Sequence, residues 1–274
     1  MSLDRPSRRL IIAGASSLLG AELKSLLEES RFAGWDFSLV DEETAAGTLT
    51  EAGGEPSVIQ PVEEGTFSRA AVVFFTGSAS FTDANLEAAR ESGATVIDLS
   101  GASLSVKGMR LWFDVDGVGH SADKDKTLYG IPSAPGLVSG KLLNALGRVG
   151  LYRLAIAFFR PVSEAGRPGI EELESQTSQL LSFQSVGQPV FDTQVAFNML
   201  DRYGGGSRER LQATRERIRR EAAVAVGRDL VEPSIQVLHA PVFYGYTFVA
   251  IGELNSSCFP GRTKTREIPQ NSIT

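Results

Sequence analysis

Apolar and polar residues alternate along the first half of the chain in blocks that predict buried strands separated by helices. Short apolar runs, bounded by charged residues or glycine, lie at residues 9–13, 36–40, 70–75 and 94–99. Such runs are typical of strands buried on both faces of a parallel sheet. Helical spacing follows the first run, where leucines at positions 18, 19, 23, 26 and 27 form one predicted face, and recurs at 85–92, where Gly93 ends the helix. The alternation predicts a doubly wound α/β domain.

The pattern changes in the second half, where longer strands enclose grouped helices. A helix is predicted at 135–146, with Pro135 at its start and Gly147 as its stop. Further strands are predicted at 151–159, 234–242 and 246–253, and a basic helix at 208–226. This arrangement predicts a mixed α+β domain. We therefore expect domains at residues 1–133 and 134–254, followed by a polar, proline-containing, irregular tail at 255–274.

The composition of the chain argues against several classes of function and location. With 274 residues, 42% of them hydrophobic and 22% charged, the chain has the make-up of a globular protein with a substantial core. The net charge of −6, without aromatic-interleaved basic runs, argues against a nucleic-acid partner. The sequence shows neither a secretory signal pattern nor an apolar stretch of about 20 residues, so we expect no membrane span. A single cysteine, Cys258, suits a reducing cytoplasm and is interpreted as incidental.

A glycine-containing turn follows the first predicted strand. Its sequence, GASSLLG at 14–20, places Gly14 and Gly20 at the outer glycine positions of a dinucleotide-binding βαβ unit, and Ser17 at the middle position. The Ser17 hydroxyl could donate to a phosphate that the helix amino end binds. Two interpretations remain open, a Rossmann-like cofactor turn and a tight strand–helix turn that binds no nucleotide.

Polar residues at the ends of three predicted strands are candidates for the rest of a cofactor site. Asp41 begins a run of three carboxylates, which could bond a ribose hydroxyl but would repel a 2′-phosphate, so NAD is favoured over NADP. The alternative is a solvated acidic loop. The candidate cofactor-binding residues are Gly14, Ser16, Ser17, Leu18, Leu19, Gly20, Asp41, Thr76, Gly77 and Ser100.

The segment YGIPSAPGLV at 129–138 has the form of a nucleophile turn without its nucleophile. The residue just before such a helix faces unpaired N–H groups and the positive end of the helix dipole, which would lower the pKa of a thiol. Here that residue is Ala134, which has no nucleophilic atom. The alternative is an ordinary helix start, with Ser133 or Ala134 as the cap.

Several motifs together resemble the aspartate-semialdehyde dehydrogenase family, and more closely its divergent Usg-type branch. The motifs, from about residue 9 to residue 253, are GASSLLG at 14–20, VIDLSG at 96–101, VSEAGRPGIEELESQT at 162–177, AFN at 196–198 and APVFYG at 240–245. The resemblance implies a Rossmann-like dinucleotide-binding domain and a mixed α+β domain that supplies the active site and a homodimer interface. It also implies a reaction in which a cysteine attacks an aldehyde, hydride passes to NADP, and phosphate cleaves the thioester.

Position by position, the resemblance places other residues where the family has its catalytic set. The family's catalytic cysteine, glutamine, arginine and histidine fall on Ala134, Arg160, His239 and Tyr246. The asparagine beside the cysteine falls on Ser133, and a second arginine has no counterpart after Ser100. Arg217 matches a family lysine that contacts phosphate or substrate. Loss of a cooperating set is hard to reconcile with the family reaction.

The resulting functional hypothesis is a family member without catalysis, acting by dinucleotide binding or as a dimeric interaction protein. The alternative is an NAD(P)-dependent oxidoreductase with an altered site. A new acid–base pair of His239 and Tyr246 is a further possibility, against a half-buried structural histidine. No residues have metal-ligand spacing. Family members also continue past residue 253 into a long helix, which the sequence here does not predict. Apolar surface on the first domain would then be left uncovered unless a partner subunit covers it.

Overall fold

A computed structural model describes residues 8–52, 55–113, 128–226 and 231–255. The first domain is built on a seven-stranded sheet in which every pair of neighbouring strands is parallel. Its strands, in sheet order, are β5 (Gln60–Pro61), β2 (Asp36–Asp41), β1 (Arg9–Ala13), β6 (Val72–Phe75), β7 (Thr95–Asp98), β9 (Leu128–Gly130) and β8 (Arg110–Leu111). A separate hairpin joins β3 (Leu49–Ala52) to β4 (Glu55–Val58). The order reverses next to β1, which makes the carboxyl end of β1 the switch point where α/β sheets bind ligands.

Two helices belong to this sheet, α1 (Leu18–Glu28) and α2 (Ala79–Glu91). Side chains from β1 and its neighbours fill a core on each side, one around Phe75 and one around Ile12. The predicted α/β class and parallel sheet are therefore confirmed. The predicted single leucine face of α1 is wrong, because Leu27 is buried whereas Leu19 and Leu26 are 43% and 58% exposed.

Helix boundaries differ from the prediction at the amino ends. Helix α2 begins six residues earlier than expected because Ser78 caps it, accepting a hydrogen bond from the Phe81 N–H. The hairpin β3–β4 and the short strands β5 and β8 were not predicted. Strands of two to four residues contain too few positions to show a periodic pattern.

The second domain has a three-stranded mixed sheet with β10 (Leu151–Arg160) in the centre. Strand β11 (Ser234–His239) pairs with it in parallel and β12 (Thr247–Leu254) antiparallel. The helices are α3 (Ala134–Gly147), α4 (Gly166–Leu181) and α5 (Leu211–Val226). The predicted mixed α+β domain is confirmed, although β11 ends three residues early, just before Ala240 and Pro241, a residue without an N–H for the ladder.

The core of this domain contains Phe158, Phe191 and Ile218, all fully buried. The predicted tail and Cys258 lie outside the described residues. Over the part of the chain that the structure describes, no helix combines the length and apolar content needed to cross a membrane.

Candidate functional site

The glycine turn after β1 is shaped by a close approach of two backbone segments. Gly14 has a φ of +95°, and a Cβ at that position would collide with the backbone of Gly77 after β6. A side chain at Gly20 would meet the Gly14 carbonyl oxygen. These two glycines therefore let β1, β6 and α1 meet at the switch point of the sheet.

Ser17 is the amino cap of α1. Its hydroxyl accepts from the Gly20 N–H at 2.9 Å and donates to the Thr76 carbonyl oxygen at 2.9 Å. The predicted donation of this hydroxyl to a phosphate is therefore not supported, because its proton is already used within the fold. By their position in the first helical turn, the N–H groups of Leu18 and Leu19 have no carbonyl partner within the helix, so they are the groups that can face a phosphate.

Asp41, at the end of β2, is buried and braces the turn. One carboxylate oxygen accepts from the Ser16 N–H at 2.8 Å and the other from the Glu42 N–H at 2.8 Å. A cleft of about 510 Å³ opens beside it; its lining residues are Asp41, Glu42, Glu43, Pro61, Val62, Glu63, Phe81 and Asn85. The amino end of α1 and this acidic cleft are therefore both in contact with the segment that Asp41 braces.

The remaining predicted cofactor residues have internal partners. The Thr76 hydroxyl is buried and bonds the carbonyl oxygens of Ala13 and Gly14. The Ser100 hydroxyl donates to Asp98 at 2.6 Å. Both hydroxyls thus shape the carboxyl edge of the sheet, and their role toward a ligand stays a prediction.

Ser133 caps helix α3, whose first residue is the exposed Ala134. The Ser133 hydroxyl accepts from the Gly136 N–H at 3.2 Å, as in an ordinary serine cap. It also donates to the carboxylate of Glu221, at 2.5 Å, and the Ser133 N–H donates to the same carboxylate at 3.0 Å. A carboxylate from another helix therefore lies at the amino end of α3.

Glu221 and Arg217 lie one turn apart on α5 and bond each other. The Arg217 Nε donates to Glu221 at 2.8 Å, and Glu221 is completely buried. The Arg217 guanidinium also donates to the carbonyl oxygens of Ser100, at 2.8 Å, and Leu99, at 3.3 Å. The predicted substrate-binding arginine is thus engaged between the two domains.

A second polar cluster lies at the carboxyl ends of β10 and β11, where Arg160 and His239 are register partners. Arg160 is 4% exposed; it donates to the Tyr203 hydroxyl at 3.1 Å and to the Glu209 carboxylate at 2.6 Å. Its Nε is buried without a partner. Burial lowers the pKa of the Arg160 guanidinium, but the interactions with Tyr203, Glu209 and Tyr246 outweigh burial and raise this pKa above its usual range.

His239 is fully buried, not half-buried as predicted. Its Nδ1 faces the Tyr203 hydroxyl at 3.2 Å and its Nε2 faces the Val195 carbonyl oxygen at 3.4 Å. Burial, together with the positive charge of Arg160, lowers the pKa of His239 to about 4, despite the opposing hydrogen bond to Val195. The ring is therefore neutral at pH 7.

Tyr246 joins the same cluster through Arg160 and Glu164. Burial raises the pKa of its hydroxyl well above the usual range, and the Glu164 carboxylate adds to the effect. A phenol held so strongly protonated is a poor general base at neutral pH. The proposed His239–Tyr246 acid–base pair is not supported, because the hydroxyl that His239 contacts is that of Tyr203.

The structure thus divides the predicted catalytic positions between two clusters. Arg160, His239 and Tyr246 belong to the cluster around Tyr203, whereas Ala134 and Arg217 lie near Glu221. Sequence reasoning missed Tyr203, Glu209 and Glu221. Only Glu221 left a signal, its spacing of four residues from Arg217 on a predicted helix. Among the described residues, no group of three or more potential ligands could hold a metal ion.

Comparisons with known proteins follow the division into two domains. Residues 9–133 match the family described as semialdehyde dehydrogenase, NAD binding domain, and residues 142–266 match semialdehyde dehydrogenase, dimerisation domain. A Pseudomonas aeruginosa protein named USG-1 protein homolog is 28% identical over 238 residues, covering 85% of this chain and 70% of that protein.

An aspartate-semialdehyde dehydrogenase of Shewanella violacea is 26% identical over 248 residues, covering 87% of this chain and 71% of that protein. Among solved structures, a probable aspartate-semialdehyde dehydrogenase from Pseudomonas aeruginosa superimposes with a TM-score of 0.79 at 26% identity, covering 92% of this chain and 75% of that one.

Proposed function

The chain belongs to the semialdehyde dehydrogenase family, and we propose that it is a member that binds a dinucleotide and a second copy of itself without performing the family's covalent chemistry. The proposal depends on the side chains at the positions that the resemblance assigns to catalysis. One is a methyl group, and the other three are enclosed in a network of internal partners.

The observation that carries the proposal is the Arg160 cluster. A side chain that binds substrate or transfers a proton must present free donors or a titratable group to the ligand. Here the Arg160 guanidinium is bonded to Glu209 and Tyr203 and is almost completely buried. His239 at this cluster stays neutral because of its burial. These groups stabilise the second domain and offer no activated nucleophile.

Dinucleotide binding is supported by the first domain. The Gly14–Gly77 approach, the free amides at the start of α1 and the cleft beside Asp41 are all retained. Several carboxylates line that cleft, and their charge would repel an adenosine 2′-phosphate while leaving a ribose hydroxyl acceptable. We therefore propose NAD as the preferred cofactor, with Leu18 and Leu19 facing its pyrophosphate and Asp41 nearest its ribose. Bound NAD would supply a hydride acceptor, but Ala134 provides no nucleophile at the position that the resemblance assigns to the family's cysteine.

Self-association is supported by an exposed apolar edge in the second domain. Strand β12 lies at the edge of the sheet with seven of its eight residues exposed. Phe248, Val249 and Ile251 are 41%, 53% and 66% exposed. A long apolar edge strand is normally covered by a partner. The match to a dimerisation domain makes a second copy of this chain the proposed partner.

The test combines binding with turnover. We expect calorimetry to show saturable binding of NAD, and we expect no reduction of NAD or NADP in the presence of aspartate semialdehyde and phosphate at high protein concentration. Phosphate-dependent turnover would overturn the proposal in favour of an oxidoreductase with an altered site. Absence of binding of either dinucleotide would instead leave only the interaction role.

A further inference from the structure

Glu221 is a carboxylate in an unusual place, at the amino end of a helix to which it does not belong. It belongs to α5, yet it accepts from both the N–H and the hydroxyl of Ser133, the cap of α3. Amino ends of helices attract anions because their N–H groups are unpaired and the helix dipole is positive there. The anion at this end is part of the chain itself.

The local backbone is shaped to admit this carboxylate. A Cβ at Gly136, in the first turn of α3, would collide with the Glu221 carboxylate. Any other residue at Gly136 would therefore displace Glu221 from the helix end. The position of the Glu221 carboxylate therefore requires a glycine at position 136.

Arg217 provides the counter-charge and extends the contact to the first domain. Its guanidinium bonds Glu221 and the carbonyl oxygens of Leu99 and Ser100, which follow β7. Gly101 leaves room for it, since a side chain there would meet the guanidinium. Residues one turn apart on α5 therefore hold two chain segments, one after β7 and one before α3.

We propose that Glu221 is a built-in ligand of the α3 amino end, and that Glu221 and Arg217 act together as a latch that holds α5 against residues 99–101 and 133–136. The latch has two consequences. External anions such as phosphate or a carboxylate are excluded from the helix end, and the two domains are held together without a bound ligand. Neither consequence depends on whether the protein binds NAD.

The test removes the Glu221 carboxylate by mutation and then adds a small carboxylate, acetate or formate, to the solution. In Glu221→Ala the thermal unfolding midpoint should fall by several degrees, and acetate or formate should restore part of it in a saturable way relative to chloride at equal ionic strength. The matched control is Glu216→Ala, which removes an exposed carboxylate from the same helix. The wild type and this control should respond to acetate only as they respond to chloride.

A spectroscopic measurement locates the effect. In ¹H–¹⁵N spectra of Glu221→Ala, the Ser133 and Gly136 amide resonances should move during the acetate titration, because acetate would take the vacated position. The same resonances in the wild type should stay unchanged. An acetate response of equal size in all three proteins would overturn the proposal.

Glu221→Gln provides a second test of the proposal if the alanine variant does not fold. The amide preserves the volume of the side chain but removes its charge and replaces the oxygen that accepts from the Ser133 hydroxyl by an NH2 group, which is a donor. We expect a lower unfolding midpoint than in the wild type and a shifted Ser133 amide resonance. Wild-type values in both measurements would show that the carboxylate charge does not hold the helix end, and the latch would be excluded.

Discussion

The guanidinium of Arg160 and the carboxylate of Glu209 form an ion pair at 2.6 Å in which the arginine side chain is 4% exposed and the glutamate 30%. A charge so well shielded from water depends on its partner, because desolvation of an unpaired guanidinium is costly. The neutral hydroxyls of Tyr203 and Tyr246 also bond the guanidinium, whereas its Nε has no partner. Glu209 is therefore the main source of compensation for this buried charge.

Replacement of Glu209 by alanine should destabilise the protein strongly. Removal of one partner of a buried pair leaves the other uncompensated, and we expect a loss of about 3 kcal/mol in the free energy of unfolding, the lower end of the usual range because Glu209 is partly exposed. Urea unfolding at pH 7 measures the loss. Glu232→Ala, which breaks the exposed pair with Arg219, is the control and should change the free energy by less than about 1 kcal/mol. Equal effects of the two variants would contradict the assignment.

Burial of His239 should make stability depend on pH below neutrality. Its pKa is lowered from 6.5 to about 4 in the folded protein, so below pH 6.5 the unfolded chain binds a proton that the folded protein does not. The contribution of the buried, neutral His239 to the free energy of unfolding is fully present above pH 6.5. It declines as the pH falls toward 4, by a total of about 3 kcal/mol. Urea midpoints at pH 7, 5.5 and 4.5 follow the decline.

The contribution of this one residue is isolated by His239→Phe. Phenylalanine keeps a ring beside Phe191 and Tyr203 but does not titrate. We expect a shallower decline between pH 7 and pH 4.5 than in the wild type, whatever the stability of the variant at pH 7. Parallel profiles for the two proteins would show that His239 is not the titrating group.

The sequence predicted the strands and helices better than the side-chain contacts of the candidate site. Apolar runs such as residues 9–13 predicted the strand correctly because burial on both faces leaves a clear local signature. The partners of Arg160 and His239 could not be predicted in this way. Tyr203 and Glu209 lie in the irregular stretch before α5, although the sequence predicted a helix from residue 208, and their contacts join residues 36 or more positions apart. The role of Ser17 could not be predicted either, because its hydroxyl donates to the carbonyl oxygen of Thr76, which is distant in sequence.

Preference for NAD over NADP should depend on the carboxylates beside Asp41. Glu42 and Glu43 are exposed at the mouth of the cleft, where their charges would repel a 2′-phosphate. In the double variant Glu42→Gln/Glu43→Gln we expect the ratio of NADP to NAD affinity to rise roughly tenfold at low salt, and less at high salt because the charges are screened. Calorimetry with both dinucleotides measures the ratio. The control Glu87→Gln, which removes an exposed charge from α2, should leave it unchanged.

Self-association should be lost when a charge is placed on the exposed edge of the second domain. In Ile251→Glu a carboxylate replaces an apolar side chain on β12, and its burial against a second copy would be costly. We expect light scattering at micromolar concentration to show a dimer for the wild type and a monomer for this variant. The matched control is Leu26→Glu, at an exposed apolar position on α1 of the first domain, which should remain a dimer. Monomer in the wild type, or an equal effect of both variants, would contradict the proposed interface.

A cysteine introduced at position 134 should not behave as a catalytic thiol. A helix amino end lowers the pKa of a thiol through its positive dipole. In this protein the Glu221 carboxylate bonds the neighbouring Ser133, and its negative charge opposes that effect. In a Cys258→Ser background, Ala134→Cys should therefore react with iodoacetamide at pH 7 no faster than a free cysteine, and should show no oxidation of aspartate semialdehyde.

Addition of Glu221→Gln should accelerate the alkylation, because removal of the carboxylate restores the helix end as an anion site, whereas Glu216→Gln should not. A fast thiol in the presence of Glu221, or recovered aldehyde oxidation, would mean that the carboxylate does not neutralise this helix end.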